Sequence, residues 1–144
     1  MRRLSSWLRR LTLVVLPVLF VVGCADSDTG AHISGNLVRV SEKDFRIVVA
    51  PDHIPAGETE LVVRNQGPDT HELIIVRSRR SRLPLRLDGL TVDEEAVQAV
   101  ATVEGVAPKG VGRVRFHLAP GRYELFCNMA GHFMAGMHSE LVVG

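Results

Sequence analysis

The chain has 144 residues, of which 46% are hydrophobic, 23% charged and only 5% aromatic. That length and balance suit one compact domain and exclude a multi-domain enzyme. Thirteen Gly and seven Pro call for frequent turns, well short of a low-complexity or collagen-like composition.

Residues 1–23 read as an export signal rather than as part of the fold. Arg2, Arg3, Arg9 and Arg10 give a basic start, an uncharged stretch runs from Leu11 to Val22, and Gly23-Cys24 closes it. A bilayer span needs about 20 apolar residues, and this stretch is shorter and broken by Pro17. Neither Arg pair is followed by a twin-arginine consensus, so both general and twin-arginine export stay open. Val21-Val22-Gly23-Cys24 resembles the lipobox of bacterial lipoproteins, and the resemblance implies cleavage before Cys24 and lipid on its thiol. The mature chain is then expected to be exported and held at the outer face of the cell membrane.

Removing the signal takes away four Arg and leaves 13 basic against 16 acidic residues, near −3. With no basic helix and no RNA-binding aromatic motif, nucleic acid is not an expected partner. The local run Arg77, Arg79, Arg80, Arg82 and Arg86 reads as a solvated loop, with a docking patch for an acidic partner as the alternative. The chain has two cysteines, Cys24 and Cys127. If lipid occupies the first, the second has no partner for a disulfide, and a free thiol in an oxidising compartment must be protected or used.

Residues 24–36 are polar and small and read as a tether, with the folded domain spanning 37–144. Period-2 alternation then dominates. Val38 and Val40 oppose Arg39, and Phe45, Ile47 and Val49 are expected to share one face against Arg46. Turn signals around Pro51, Pro55-Ala56-Gly57, Asn65-Gln66-Gly67-Pro68, Pro108-Lys109-Gly110 and Pro120-Gly121 separate apolar runs at 60–64, 71–76, 111–118, 122–127 and 139–143. Seven or so short strands predict an all-β sandwich. The 71–76 run, apolar at nearly every position after Glu72, predicts an interior strand covered on both faces. One short helix is expected between about 92 and 101, where Thr91-Val92-Asp93-Glu94 has capping-box spacing and Val92, Ala96, Val97 and Val100 recur at helical intervals.

The chemistry lies in the last third. Cys127, Met129, His132, Met134 and Met137 fall within eleven residues, which include every methionine except Met1. Copper is the metal that wants soft sulfur together with imidazole, and a His₂Cys set with a weak axial Met serves both of its oxidation states. A second imidazole is required. His71 is the candidate, because parity places it with Leu73 and Ile75 on one strand face while Tyr123, Leu125 and Cys127 share another.

Asn65-x-Gly67-x-x-x-His71, followed by Pro120-Gly121-x-Tyr123-x-x-x-Cys127-x4-His132-x4-Met137, resembles the cupredoxins, in particular plastocyanin-like blue copper proteins. The resemblance implies a Greek-key β-sandwich holding one type 1 copper ion, with His71, Cys127 and His132 as equatorial ligands and Met137 as the axial one; Met134 is the alternative. It further implies single-electron transfer between redox protein donors and acceptors, a monomer, electron passage through His132, and no enzymatic reaction. Copper trafficking or storage, suggested by the methionine cluster, is the alternative function. The cysteine-to-histidine spacing is longer than in plant-type plastocyanins, and Glu72 stands where many of them carry Asn.

Overall fold

The computed structural model describes residues 35–78 and 82–144. The export segment, Cys24, His32 and the tether up to residue 34 lie outside the described residues, as do Arg79 and Arg80. Nine strands follow in order: β1 Asn36–Lys43, β2 Arg46–Ala50, β3 His53–Ile54, β4 Gly57–Asn65, β5 His71–Arg77, β6 Ala99–Val106, β7 Val111–Leu118, β8 Gly121–Phe126 and β9 His138–Val143. They form two sheets, one in the order β2-β1-β4-β7 and the other β3-β9-β8-β5-β6. β1 runs parallel to β4 and β3 parallel to β9, and the remaining pairs are antiparallel. The result is the expected β-sandwich.

Alternation builds the core between the sheets. Val38 and Val40 on β1, Leu61 and Val63 on β4, Leu73 and Ile75 on β5, Tyr123 and Leu125 on β8, and Leu141 and Val143 on β9 all point inward and are buried. Each large apolar side chain removed from water in this way contributes about 1.5–3 kcal/mol. A second, smaller core lies on the outer face of the five-stranded sheet. There Ile74, Val76 and Phe126 are covered by Val92, Leu83 and Val97 from the long β5–β6 connection and by Phe133. That cover explains why β5 is apolar on both faces.

Two expectations need correction. Residues 92–101 form no helix: Glu94–Ala96 make one turn and Ala99 already belongs to β6. The cause is visible at Val92, whose N–H donates to Asn128 Oδ1 (2.6 Å) and whose carbonyl accepts from Asn128 Nδ2 (3.1 Å). With both backbone groups engaged, Val92 bridges Leu85 in extended form instead of starting an i→i+4 ladder. β6 itself has mostly exposed side chains, so its alternation left no apolar signature. Phe45 does not continue the face of Ile47 and Val49; it sits in the β1–β2 turn with φ 61° and is half exposed.

Candidate metal centre

The first donor is set by the end of β4. Asn65 is buried, and its Nδ2 donates to the carbonyls of Asp69 (2.6 Å) and Val106 (2.8 Å) while its Oδ1 accepts the Gly67 N–H (2.8 Å). One amide therefore ties together both sides of the loop that delivers His71 to the first position of β5. His71 is 1% exposed. Its Nδ1 faces Cys127 Sγ at 3.9 Å.

Cys127 follows β8 directly, and the strand's parity brings it to the inner face with Tyr123 and Leu125. Beyond it the chain makes successive turns: His132 N–H donates to Met129 O, Ala135 N–H to Gly131 O, and Met137 N–H to His132 O. The loop closes when Cys127 N–H donates to Met137 O at 3.1 Å. His132 Nδ1 thereby stands 3.5 Å from Cys127 Sγ, and Met137 is fully buried in the same cluster as Cys127. Met129 and Met134, in contrast, are 43% and 55% exposed. Of the other histidines described, His53, His117 and His138 are exposed and face Asp52, Glu58 and Glu124, apart from this pocket.

One ligand atom from each of His71, Cys127 and His132 lies within 4.8 Å of the other two. Bonds of about 2.0 Å to nitrogen and 2.3 Å to sulfur, spread at 120°, would separate N and S by about 3.7 Å. The observed 3.9 and 3.5 Å bracket that value. The donor set also selects the metal: one thiolate, two imidazoles and a buried thioether beside them suit copper, whose two oxidation states accept soft sulfur and imidazole nitrogen.

The electrostatics of the pocket are those of a buried, carboxylate-rimmed site. Burial pushes the Cys127 thiol up, although its sulfur accepts the Glu72 and Met129 N–H groups, which favour thiolate. Burial also lowers His71, helped by His132 and opposed by Asp44 and Asp69. The outer nitrogen of His71, Nε2, is buried without a hydrogen-bond partner, and Asp44 Oδ1 stands 3.9 Å from it. Gly67 leaves room for that approach, since a Cβ there would come within 2.6 Å of Asp44 Oδ1 and 3.1 Å of His71 Nε2.

No protein-family model and no curated protein sequence matches this chain. Solved structures do. Reduced auracyanin from Roseiflexus castenholzii superposes with a TM-score of 0.58 at 15% identity, covering 76% of this chain and 98% of its own. Auracyanin A, a blue copper protein from Chloroflexus aurantiacus, gives 0.55 at 16% identity over 75% and 98% of the two chains. Rusticyanin from Thiobacillus ferrooxidans gives 0.54 at 20% identity over 77% and 79%. The chain has the cupredoxin fold.

Within this cupredoxin fold, several residues near the centre escaped the sequence reading. Glu72, noted as a departure, is half-buried and its carboxylate accepts the Asn128 N–H, so it braces the turn after Cys127. Asn128 in turn holds the β5–β6 connection through Val92 and through Glu94 Oε1 (2.6 Å). Glu42 continues the inward series Val38, Val40, and is completely buried with neither carboxylate oxygen hydrogen-bonded. Its place in the alternation is legible in the sequence, but a carboxylate there breaks the apolar rule that marks core positions. Nothing in the sequence marked Asp44 as a neighbour of His71.

Proposed function

We propose that this protein is a type 1 copper protein that carries single electrons between redox proteins outside the cytoplasm, anchored to the membrane through lipid on Cys24. His71, Cys127 and His132 are its equatorial ligands and Met137 its axial one. The observation that carries the reading is the convergence of a thiol and two imidazoles, up to 61 positions apart in sequence, in a buried pocket beside the fully buried Met137. The auracyanin likeness, with its blue copper member, supports it.

Copper bound here supplies a one-electron couple. The protein's part is to hold its donors still: His71 opens a strand between β8 and β6, Cys127 directly follows a strand between β5 and β9, and Met137 is bonded through its backbone to Cys127. His132, only partly buried, offers its ring toward solvent beside Phe45, whose ring centroid lies 5.3 Å away. Electrons pass through that edge. Burial of Met137 against exposure of Met134 and Met129 is what supports Met137 as the axial ligand.

Copper(II) titration of the purified soluble domain tests the reading. An intense thiolate-to-copper visible band and a narrow parallel hyperfine splitting in the electron paramagnetic resonance spectrum are expected, saturating at one ion per chain. Both are lost in Cys127→Ser. The competing function, copper trafficking, is favoured by the exposed thioethers of Met129 and Met134; a colourless holoprotein that passes Cu(I) to an acceptor would establish it instead.

A further inference from the structure

The outer face of the four-stranded sheet is lined by alternate residues of β2, β1, β4 and β7, and its charges are unevenly matched. Toward the end far from the metal centre, Glu60 pairs with Arg113 (3.5 Å) and Arg115 (3.0 Å), and Glu58 with His117 (3.1 Å). At the end next to the centre the exposed cations Lys43, Arg46 and Arg64 have no ion-pair partner among the described residues. Lys43 and Arg46 are directly opposite each other across the β1–β2 ladder, and Arg64 lies opposite Ser41 on the neighbouring strand. Like charges in direct cross-strand register destabilise a sheet. Asp44, in the turn between Lys43 and Arg46, is directed toward His71 and forms an ion pair with neither, and Glu42 is buried on the opposite face.

The same turn carries a second cost. Phe45 holds φ 61°, a conformation that a bulky residue rarely takes and that Gly or Asn would take without strain. It remains half exposed and sets its ring edge-to-face with His132. A like-charge pair and a strained, exposed aromatic thus occupy one hairpin at the rim of the imidazole edge. On the Glu72 side of the centre the half-buried Glu72 has Glu94 and Glu104 near enough to add to the effect of burial on its carboxyl. Carboxylates therefore gather on the Asn128 side of the centre and cations at the β1–β2 hairpin.

We propose that Lys43, Arg46 and Arg64, with Phe45 as the apolar contact, form the docking surface for an acidic protein partner whose redox group approaches His132. The partner's carboxylates complete the ion pairs that the sheet leaves unmade, and the acidic side of the rim fixes its orientation. The proposal deepens the electron-carrier reading by naming the partner's chemistry, and its first test does not depend on copper.

In that test the metal-free domain is titrated with a hexaglutamate peptide and followed by amide nitrogen–proton spectra. Shifts should concentrate on 43–46 and around Arg64, and apparent affinity should fall about fivefold or more in Lys43→Gln/Arg46→Gln, with Arg113→Gln as the distant control. Shifts confined to the Arg77–Arg86 segment would overturn the assignment. In the second test the copper-loaded domain is oxidised by hexacyanoferrate(III) and by the tris(phenanthroline)cobalt(III) cation. Lys43→Glu/Arg46→Glu should slow the anionic oxidant about tenfold at low ionic strength and speed the cationic one, both effects fading as salt screens them. Equal rates for wild type and variant would refute the surface. So would retention of the domain on phosphatidylglycerol vesicles that is abolished by the same variant, because the cations would then serve a membrane.

Discussion

Glu42 offers a sharp test of the buried pocket. It is 0% exposed, both its oxygens lack partners, and its pKa is pushed up to about 8, first by burial and then by the nearby Glu72. In the unfolded chain the same carboxyl titrates near 4.5. The folded state therefore binds more protons across that interval, and stability must fall as pH rises from about 4.5 to about 8. At about 1.36 kcal/mol per pH unit the loss approaches about 5 kcal/mol, an upper bound that water entry or local relaxation would reduce. Glu42→Gln removes the titration, and Glu42→Leu removes the buried polar group as well. Urea unfolding of the metal-free domain from pH 5 to 9 should show the wild type losing about 4 kcal/mol more than Glu42→Gln over that range, with Glu42→Leu more stable than wild type at pH 8. Comparing wild type with variant isolates the Glu42 carboxyl together with its coupling to Glu72 and Cys127. Parallel stability–pH curves for wild type and Glu42→Gln would refute the assignment of a buried neutral carboxyl.

Asn65→Ala deletes three hydrogen bonds, two of them buried, at the loop before His71, so it should cost about 2–4 kcal/mol in urea unfolding and weaken copper binding as well. Asp44→Asn removes the negative charge 3.9 Å from His71 Nε2; voltammetry should find the reduction potential raised by tens of millivolts, on the order of 1 kcal/mol, with the visible band retained. Gly112→Ala would place a Cβ 2.3 Å from Val103 Cγ1, forcing β6 and β7 apart, and should lower stability by about 1–3 kcal/mol.

Much of this architecture could be read from the chain because alternation and turn chemistry are local. Val111–Leu118 was expected as a strand and is one to the residue; Pro120-Gly121 and the loop after Asn65 mark real strand boundaries. The candidate ligands were legible for a different reason: Cys127, His132 and Met137 are close in sequence, and strand parity together with the cupredoxin resemblance pointed His71 to the same interior, where one ligand atom each from His71, Cys127 and His132 lies within 4.8 Å of the others. What stayed hidden was set by distant partners. Whether 92–101 becomes helix is decided by Asn128, 36 positions from Val92, through two hydrogen bonds that no local window contains. β6 is a strand because β5 supplies its ladder, not because its own side chains are buried. Phe45 obeys its turn rather than the alternation around it.

Burial acts on the donors in a way that fixes how many protons copper must displace. The Cys127 thiol is pushed up and His71 pushed down, so at pH 8 the metal-free pocket holds a neutral thiol and, at His71, a neutral imidazole. A metal requires the sulfur as thiolate. Binding at that pH should therefore release about one proton from Cys127 and none from His71. Glu42, titrating near 8 in the same interior, adds a fraction because a cation nearby favours its ionised form. Calorimetric titration of copper(II) in buffers of different ionisation enthalpy measures the total. Wild type should release between one and two protons, Glu42→Gln about one, and Cys127→Ser, where any copper still binds, less than wild type by about one. If wild type and Cys127→Ser released the same number, the thiol would already be ionised in the metal-free protein. The Glu72 and Met129 N–H groups would then outweigh burial at the sulfur, and the pocket would be an anion stabilised by backbone donors rather than a neutral cavity.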